Sequence, residues 1–436
     1  LRMIEDLPHV GAVISGDDTE RIVRLFRMLR EQLDRRERQY GDASATSVTE
    51  FRQLPGRTSE SRIVLLIDNF PSFRDEWEIP SGRNEWYRVF TEIIGNGRQL
   101  GVHVVFTADR PGSVPSSVTS GVQRRVVLRL ADEMGYAVLD APNDVLTEAS
   151  PAGRALVSGN ETQLAVLGGS SVAAEQSEAM TRLAADMRTA GAVPAPGIPS
   201  LPAIVPVEDL PQAPGAPLVL GLAEETLEPF ELEPAGAFAL AGPPGSGRSS
   251  ALRVIAERLF ERGDMPVYYI GNKRSALASD IRFAARATTI EDVTDLAKLV
   301  REIVIDEDAT SRVAVIIEQL GDFLQSSADA PLVDLVRAIK REDHFAVAEA
   351  ESSSWVTSWP LFGEFKSARR GLILQPDSTD GDVILKTSLP RIKRAEFPVG
   401  RGMLVASGAA IRVQLALAST PEGADSLVGA SVRRGL

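Results

Sequence analysis

An apolar run, Ala237-Phe238-Ala239-Leu240-Ala241, empties into Gly242-Pro243-Pro244-Gly245-Ser246-Gly247-Arg248-Ser249-Ser250, and no other stretch restricts the fold of this chain as tightly. The spacing fits the pattern G-x-x-x-x-G-K-[ST] everywhere except Arg248, which stands where the pattern has lysine. Glycines at both ends let the main chain curl so that successive N–H groups point inward at a polyphosphate, and Ser249 offers its hydroxyl to a bound Mg²⁺ as a helix begins. Leu252, Ile255 and Leu259 recur at helical spacing just downstream, which supplies that helix. A plain turn of small residues is the competing reading, and the strand before and helix after weigh against it. Residues 242–250 are therefore the expected phosphate-binding segment.

Landmarks of the first half reappear in the second. Ile63-Val64-Leu65-Leu66-Ile67-Asp68-Asn69-Phe70-Pro71-Ser72-Phe73 matches Val313-Ala314-Val315-Ile316-Ile317-Glu318-Gln319-Leu320-Gly321-Asp322-Phe323: an apolar strand, an acid, then an aromatic. Val102-His103-Val104-Val105-Phe106-Thr107-Ala108-Asp109 parallels His344-Phe345-Ala346-Val347-Ala348-Glu349-Ala350-Glu351. Further on, 124–130 parallels 369–375 and 151–157 parallels 398–404. The shared order and spacing read as an internal repeat. Between the copies, residues 191–217 hold eight prolines, from Pro194 to Pro217, and read as an extended linker in which Ile198, Leu201, Ile204, Val205 and Leu210 are placed to pin it to a neighbouring domain.

The expected organisation is a module at 1–190, the linker at 191–217 and a second module at 218–436. No glycine loop precedes Asp68, so the first module is expected to lack its phosphate loop and first helix, as in a piece of a longer protein. Strands alternate with helical stretches, as in helix 84–99 before strand 102–108 and helix 291–305 before strand 313–318. That alternation predicts an α/β fold, with mostly parallel sheets covered by helices on both faces and a nucleotide at the carboxyl ends of the strands.

Composition narrows the chemistry. The 436 residues contain no cysteine and three histidines, His9, His103 and His344, far apart in sequence, which leaves little for a zinc site, a thiol nucleophile or a disulfide frame. No apolar run approaches the roughly 20 residues of a membrane span. A net charge of −13 lacks the clustered Lys and Arg excess that duplex DNA calls for, so a nucleic-acid partner is not expected. The richest basic stretch, 21–38, interleaves acids with its arginines, and Ile22, Phe26, Leu29 and Leu33 mark the stripe of an amphipathic helix.

Glu318 stands at a strand end where an acid holds Mg²⁺ through water in enzymes with such loops, which makes Ser249 and Glu318 the candidate metal-side groups. Gln319 follows in place of a carboxylate able to orient attacking water, so binding is better supported than hydrolysis. Arg248 points the same way: a planar guanidinium grips phosphate oxygens bidentately without placing a compact charge between the β- and γ-phosphates. The plain alternative for Glu318 is a solvated strand-end acid. In the first module Asp68 keeps the metal-linked acid, with Asn69 after it. Thr107 is placed to sense a γ-phosphate, and Arg124 and Arg125 to reach a nucleotide on an adjoining module; a turn-capping threonine and arginines solvating a strand entrance are the alternatives. Asp75, Glu76 and Glu78 around Trp77 read as a solvated surface loop. Trp355, Trp359, Phe362 and Phe365 crowd a non-periodic stretch, either as a peptide pocket or as anchors on their own core.

Taken with Leu7-Pro8-His9-Val10, Arg35-Arg36, Tyr40, Val48-Thr49-Glu50-Phe51, Ile67-Asp68-Asn69-Phe70, Gly101-Val102-His103-Val104-Val105, Thr107-Ala108-Asp109-Arg110-Pro111 and Gly153-Arg154, the chain resembles the FtsK/SpoIIIE-type RecA-like motor ATPases, and more particularly the EccC/EssC ATPases of type VII secretion. The resemblance covers nearly the whole chain. It implies two RecA-like αβα modules in tandem, ATP and Mg²⁺ as ligands, and a parent anchored in the membrane with these modules on its cytoplasmic side. It also implies secreted proteins with C-terminal helical signals, and other modules or copies of the same ATPase, as partners. Arg248, Glu318 and Gln319 depart from a catalytic set, so these modules are expected to bind ATP with weak or no turnover. The same family contains double-stranded DNA translocases, which the acidic charge and the lack of a basic winged-helix tail near Ser431–Leu436 disfavour. A non-catalytic, nucleotide-bound platform for signal peptides is the other alternative.

Overall fold

Ile22, Phe26, Leu29 and Leu33 form one stripe of the helix Thr19–Asp42, and all four are buried, so the helix docks by its apolar face. Asp18 starts it by accepting the Arg21 N–H. Arg36 continues the same stripe and goes inside with it: 1% exposed, it donates to the carbonyls of Leu100 at 2.7 Å and Ser61 at 2.8 Å and pairs with Glu60 at 2.9 Å. The computed structural model describes residues 1–80, 83–306, 311–390, 392, 396–406 and 408–418. The chain divides into two units, Leu1–Ser200 and Leu201–Leu436. The stretch 431–436, read above as lacking a basic winged-helix tail, lies outside the described residues.

In the first unit β1 (Ile63–Ile67) runs parallel to β2 (Val102–Phe106), Ile63 level with Val102 and Ile67 with Phe106. A separate antiparallel sheet holds β3 (Val126–Leu128), β4 (Arg154–Val157) and β5 (Asn160–Gln163). One face of the parallel pair packs on the helices through Leu65 and Val102. Its other face is open: Val64 is 55% exposed, Leu66 40% and Val105 54%. The acidic run around Trp77 is not a loop, as its charges suggested. It is the helix Phe70–Trp77, because Phe70, Phe73 and Trp77 recur at helical spacing and their rings pack together, with Trp77 1% exposed. Glu78 and Glu76 pair with Arg74 and Arg83 on its outer side.

The second unit is built on β6 (Leu218–Ala223), β7 (Pro229–Leu232), β8 (Gly236–Gly242), β9 (Val267–Ile270), β10 (Ala285–Ala287), β11 (Ala314–Ile317), β12 (Phe345–Glu351), β13 (Gly371–Leu374), β14 (Arg401–Ala406) and β15 (Ala409–Leu415). These make one ten-stranded sheet in the order β10-β9-β11-β12-β8-β13-β14-β15-β6-β7. The first six strands are mutually parallel and the remaining pairings antiparallel. Along β8 the side chains alternate between two cores: Ala237, Ala239 and Ala241 face the helices Asp329–Arg341 and Pro360–Ser367, while Phe238 and Leu240 face the helix Arg248–Arg262. A strand without polar side chains is what a position covered on both faces requires.

Trp355, Phe362 and Phe365 are fully buried and meet edge to face, so they anchor the core; only Trp359, 39% exposed, reaches the surface. A peptide pocket made of all four is thereby excluded.

The proline-rich segment lies on both units in turn. Prolines lack the N–H that a neighbouring strand would pair with, so nearby carbonyls need other donors. Arginines supply them. Arg21 and Arg24 donate to Ile198 and Pro199 in the first unit. In the second, Arg401 donates to Leu201 and Pro202, Arg258 to Val207 and Leu210, and Arg262 to Ala216. Ile198, Leu201, Val205 and Leu210 are buried, whereas Ile204 is exposed.

Candidate nucleotide site

The loop leaves β8 at Gly242 and enters the helix Arg248–Arg262 through Gly247. Gly245 and Gly247 have φ of +77° and +100°, backbone that side chains with a Cβ resist, and a Cβ on Gly242 would lie 2.4 Å from Ser246 Oγ. From behind, the Gly400 N–H donates to the Ser246 carbonyl at 3.0 Å. Ser246 is fully buried, yet its hydroxyl has no partner among the described residues. A buried, unmatched hydroxyl beside a glycine cradle fits a site shaped for an oxygen-rich anion. Pro244, Gly245 and Ser249 face solvent, Pro243 and Ser250 are half-buried, and Ser249 sits in the first turn of the helix.

Arg248 does not point freely into this cradle. Its Nη1 lies 2.7 Å from Glu349 Oε1, and the two side chains are 19% and 5% exposed. Glu349 is carried by β12, the neighbour of β8, and its other oxygen accepts the Gln319 N–H at 3.0 Å. Burial pushes the Glu349 carboxyl above the usual range, with the Arg248 guanidinium pulling it back. Glu318, at the end of β11 and 6% exposed, accepts a hydrogen bond from the Tyr269 hydroxyl at 2.5 Å. That Tyr269 hydroxyl is held far above its ordinary range, chiefly by burial and then by its bond to Glu318. Gln319 adopts left-handed backbone at φ +54°, and its side chain faces Asn272 rather than a carboxylate.

The first unit has the same geometry with different chemistry. Thr107 Oγ1 donates to Asp68 Oδ1 at 2.7 Å and accepts the Asn69 N–H at 2.9 Å, and Asn69 is left-handed at φ +62°. Thus the structure joins Thr107 to Asp68 directly. It does not bring Arg124 and Arg125 to them through a hydrogen bond or ion pair among the described residues; both arginines are exposed where the chain enters β3. Glu349 and Tyr269 were not singled out from the sequence. A signal for Glu349 was present, because the repeat aligns it with Thr107 and the strand registers place both one residue past equivalent pairs, Ile67 with Phe106 and Ile317 with Ala348. Tyr269 had no local signature. Across the described residues no helix is long and apolar enough to cross a membrane.

Residues 1–154 match the model of the FtsK/SpoIIIE family. The ESX secretion system protein EccC of Thermomonospora curvata is 24% identical over 92% of this chain and 32% of its own length. The ESX secretion system protein YukB of Bacillus subtilis is 24% identical over 95% of this chain and 29% of its own length. This chain therefore spans about a third or less of the curated relatives it matches. The structure of Thermomonospora curvata EccC (ATPases 2 and 3) in complex with a signal sequence peptide superposes with a TM-score of 0.72 at 21% identity, covering 96% of this chain and 80% of that one. The tandem α/β architecture is shared with it. Residues 1–154 thus match the FtsK/SpoIIIE family, and over more than nine-tenths of its length the chain is similar to the ESX secretion system proteins EccC and YukB.

Proposed function

We propose that this chain is an ATP-binding portion of a type VII secretion motor ATPase that couples nucleotide binding and substrate recognition to protein export, with weak or no hydrolysis of its own. One observation carries the nucleotide reading: the loop 242–250 keeps left-handed glycines and a buried, unpartnered Ser246 hydroxyl in a helix-capping curl. In this reading the main-chain amides of 242–249 hold the phosphates, and Ser249, with Glu318 through water, faces Mg²⁺, which neutralises phosphate charge when bound. Asp68, Thr107, Arg124 and Arg125 are the corresponding candidates of the first module, taken as 1–190, with 191–217 as linker and 218–436 as the second module. Low turnover is supported by Gln319 after Glu318 and by the engagement of Arg248 with Glu349.

The partners in this reading are secreted proteins with C-terminal helical signals, supported by the EccC homologue solved with a signal sequence peptide, and other modules or copies of the same ATPase. The placement is the cytoplasmic side of a membrane, reached through segments of a longer parent. A net charge of −13 favours protein over DNA as the translocated material.

Photolabelling of the full chain with azido-ATP and Mg²⁺ tests the reading. Label should fall in the second unit and disappear in Gly247→Val, with circular dichroism unchanged and phosphate release near background. A folded chain that takes no label, or brisk phosphate release, contradicts it.

A further inference from the structure

The ion pair between Arg248 and Glu349 sets a buried carboxylate against the basic side chain that follows the glycine loop. In loops of this pattern the basic side chain reaches the β- and γ-phosphates. Here that side chain is occupied at 2.7 Å, in a place mostly withdrawn from water. Glu349 is held at both oxygens, one by Arg248 and the other by the Gln319 N–H, so it is fixed in position. Glu318 stands at the end of the adjacent strand, level with it. The first unit has the neutral hydroxyl of Thr107 at the matching point, doing the same task of accepting the N–H after the strand-end acid. The substitution keeps the scaffold and adds a negative charge.

A γ-phosphate arriving at Arg248 must share that guanidinium with Glu349, or displace it, and either way sets its own negative charge beside a buried carboxylate, which is unfavourable. A diphosphate held by loop amides asks for no such exchange. We propose that Glu349 stands in for the γ-phosphate on Arg248 and makes the loop of the second unit selective for nucleoside diphosphates over triphosphates. This rests on residues 242–250 being a phosphate-binding loop and refines which nucleotide that loop retains. Glu349 is thus a specificity-determining residue, set where the sister unit has none.

The test is titration of the full chain with Mg-ADP and Mg-ATP, in the wild type, Glu349→Gln and Glu349→Thr, with thermal melts showing that each variant is folded. The wild type should bind ADP about tenfold or more tighter than ATP, and both variants should lose most of that preference by gaining affinity for ATP. Equal affinities in the wild type, or a preference that survives both substitutions, overturns the role of Glu349 while leaving the loop reading intact. Binding of neither nucleotide by any folded form overturns the loop reading itself, and this inference with it.

Discussion

One strand separates the two units. In the second, β8 lies between β12 and β13, parallel to both, and joins the strands on its two sides into one sheet. In the first, β2 and β3 occupy the matching places in the repeat but belong to different sheets, and no described strand connects them. The consequence reaches the surface. Val64, Leu66 and Val105 are open to solvent, whereas their counterparts Ala314, Ile316 and Val347 are fully buried in the core shared with Leu252, Ile255 and Leu259 of the loop's helix. The strand, glycine loop and helix thus act as one piece: they form the glycine curl, unite the sheet and cover its apolar face.

The comparison breaks most readily at Phe238, which is fully buried in the middle of β8. Phe238→Ala should cost the second unit about 4 kcal/mol through lost burial and a residual cavity. Calorimetry should show a transition moving down while the one belonging to the first unit holds; a common shift of both would mean that the units do not melt independently. Arg36→Ala is the reverse experiment, removing a buried cation that braces Glu60, Ser61 and Leu100. It should lower the first unit alone by about 3 kcal/mol, with Arg36→Met recovering part because its longer side chain refills the buried volume that alanine leaves empty. A loss under about 1 kcal/mol would show that this pair is solvent-supported. The smallest effect belongs to Thr107→Val, which deletes the bonds to Asp68 and Asn69 at an exposed strand end. It should cost about 1 kcal/mol in urea unfolding, and a value several times larger would mark Thr107 as a structural keystone rather than a counterpart of Glu349.

Periodicity and repetition made much of this fold legible. The apolar stripe ending in Phe26, Leu29 and Leu33 is buried as its spacing indicates, and the strand–loop–helix at 237–259 has the expected form. Helix ends shifted by a few residues, to Asn84–Asn96 and Ile290–Val304, because caps and frayed turns decide them. Trp77 was misread because flanking charges outweighed a three-aromatic period. At the site, the glycines are a local pattern and could be read directly. The Arg248–Glu349 pair could not, since its partners lie far apart in sequence and meet only when β12 pairs with β8. Tyr269 reaches Glu318 from β9, on the other side of β11, for the same reason.

The central claim is that the glycine loop of the second unit is a working phosphate site and that no equivalent exists among the described residues of the first. Calorimetric titration of the intact chain with Mg-ADP measures this as a stoichiometry. The account predicts one nucleotide per chain, lost when Gly247 is replaced by Val in a protein that remains folded. Two equivalents, or a single one that survives that substitution, would contradict it.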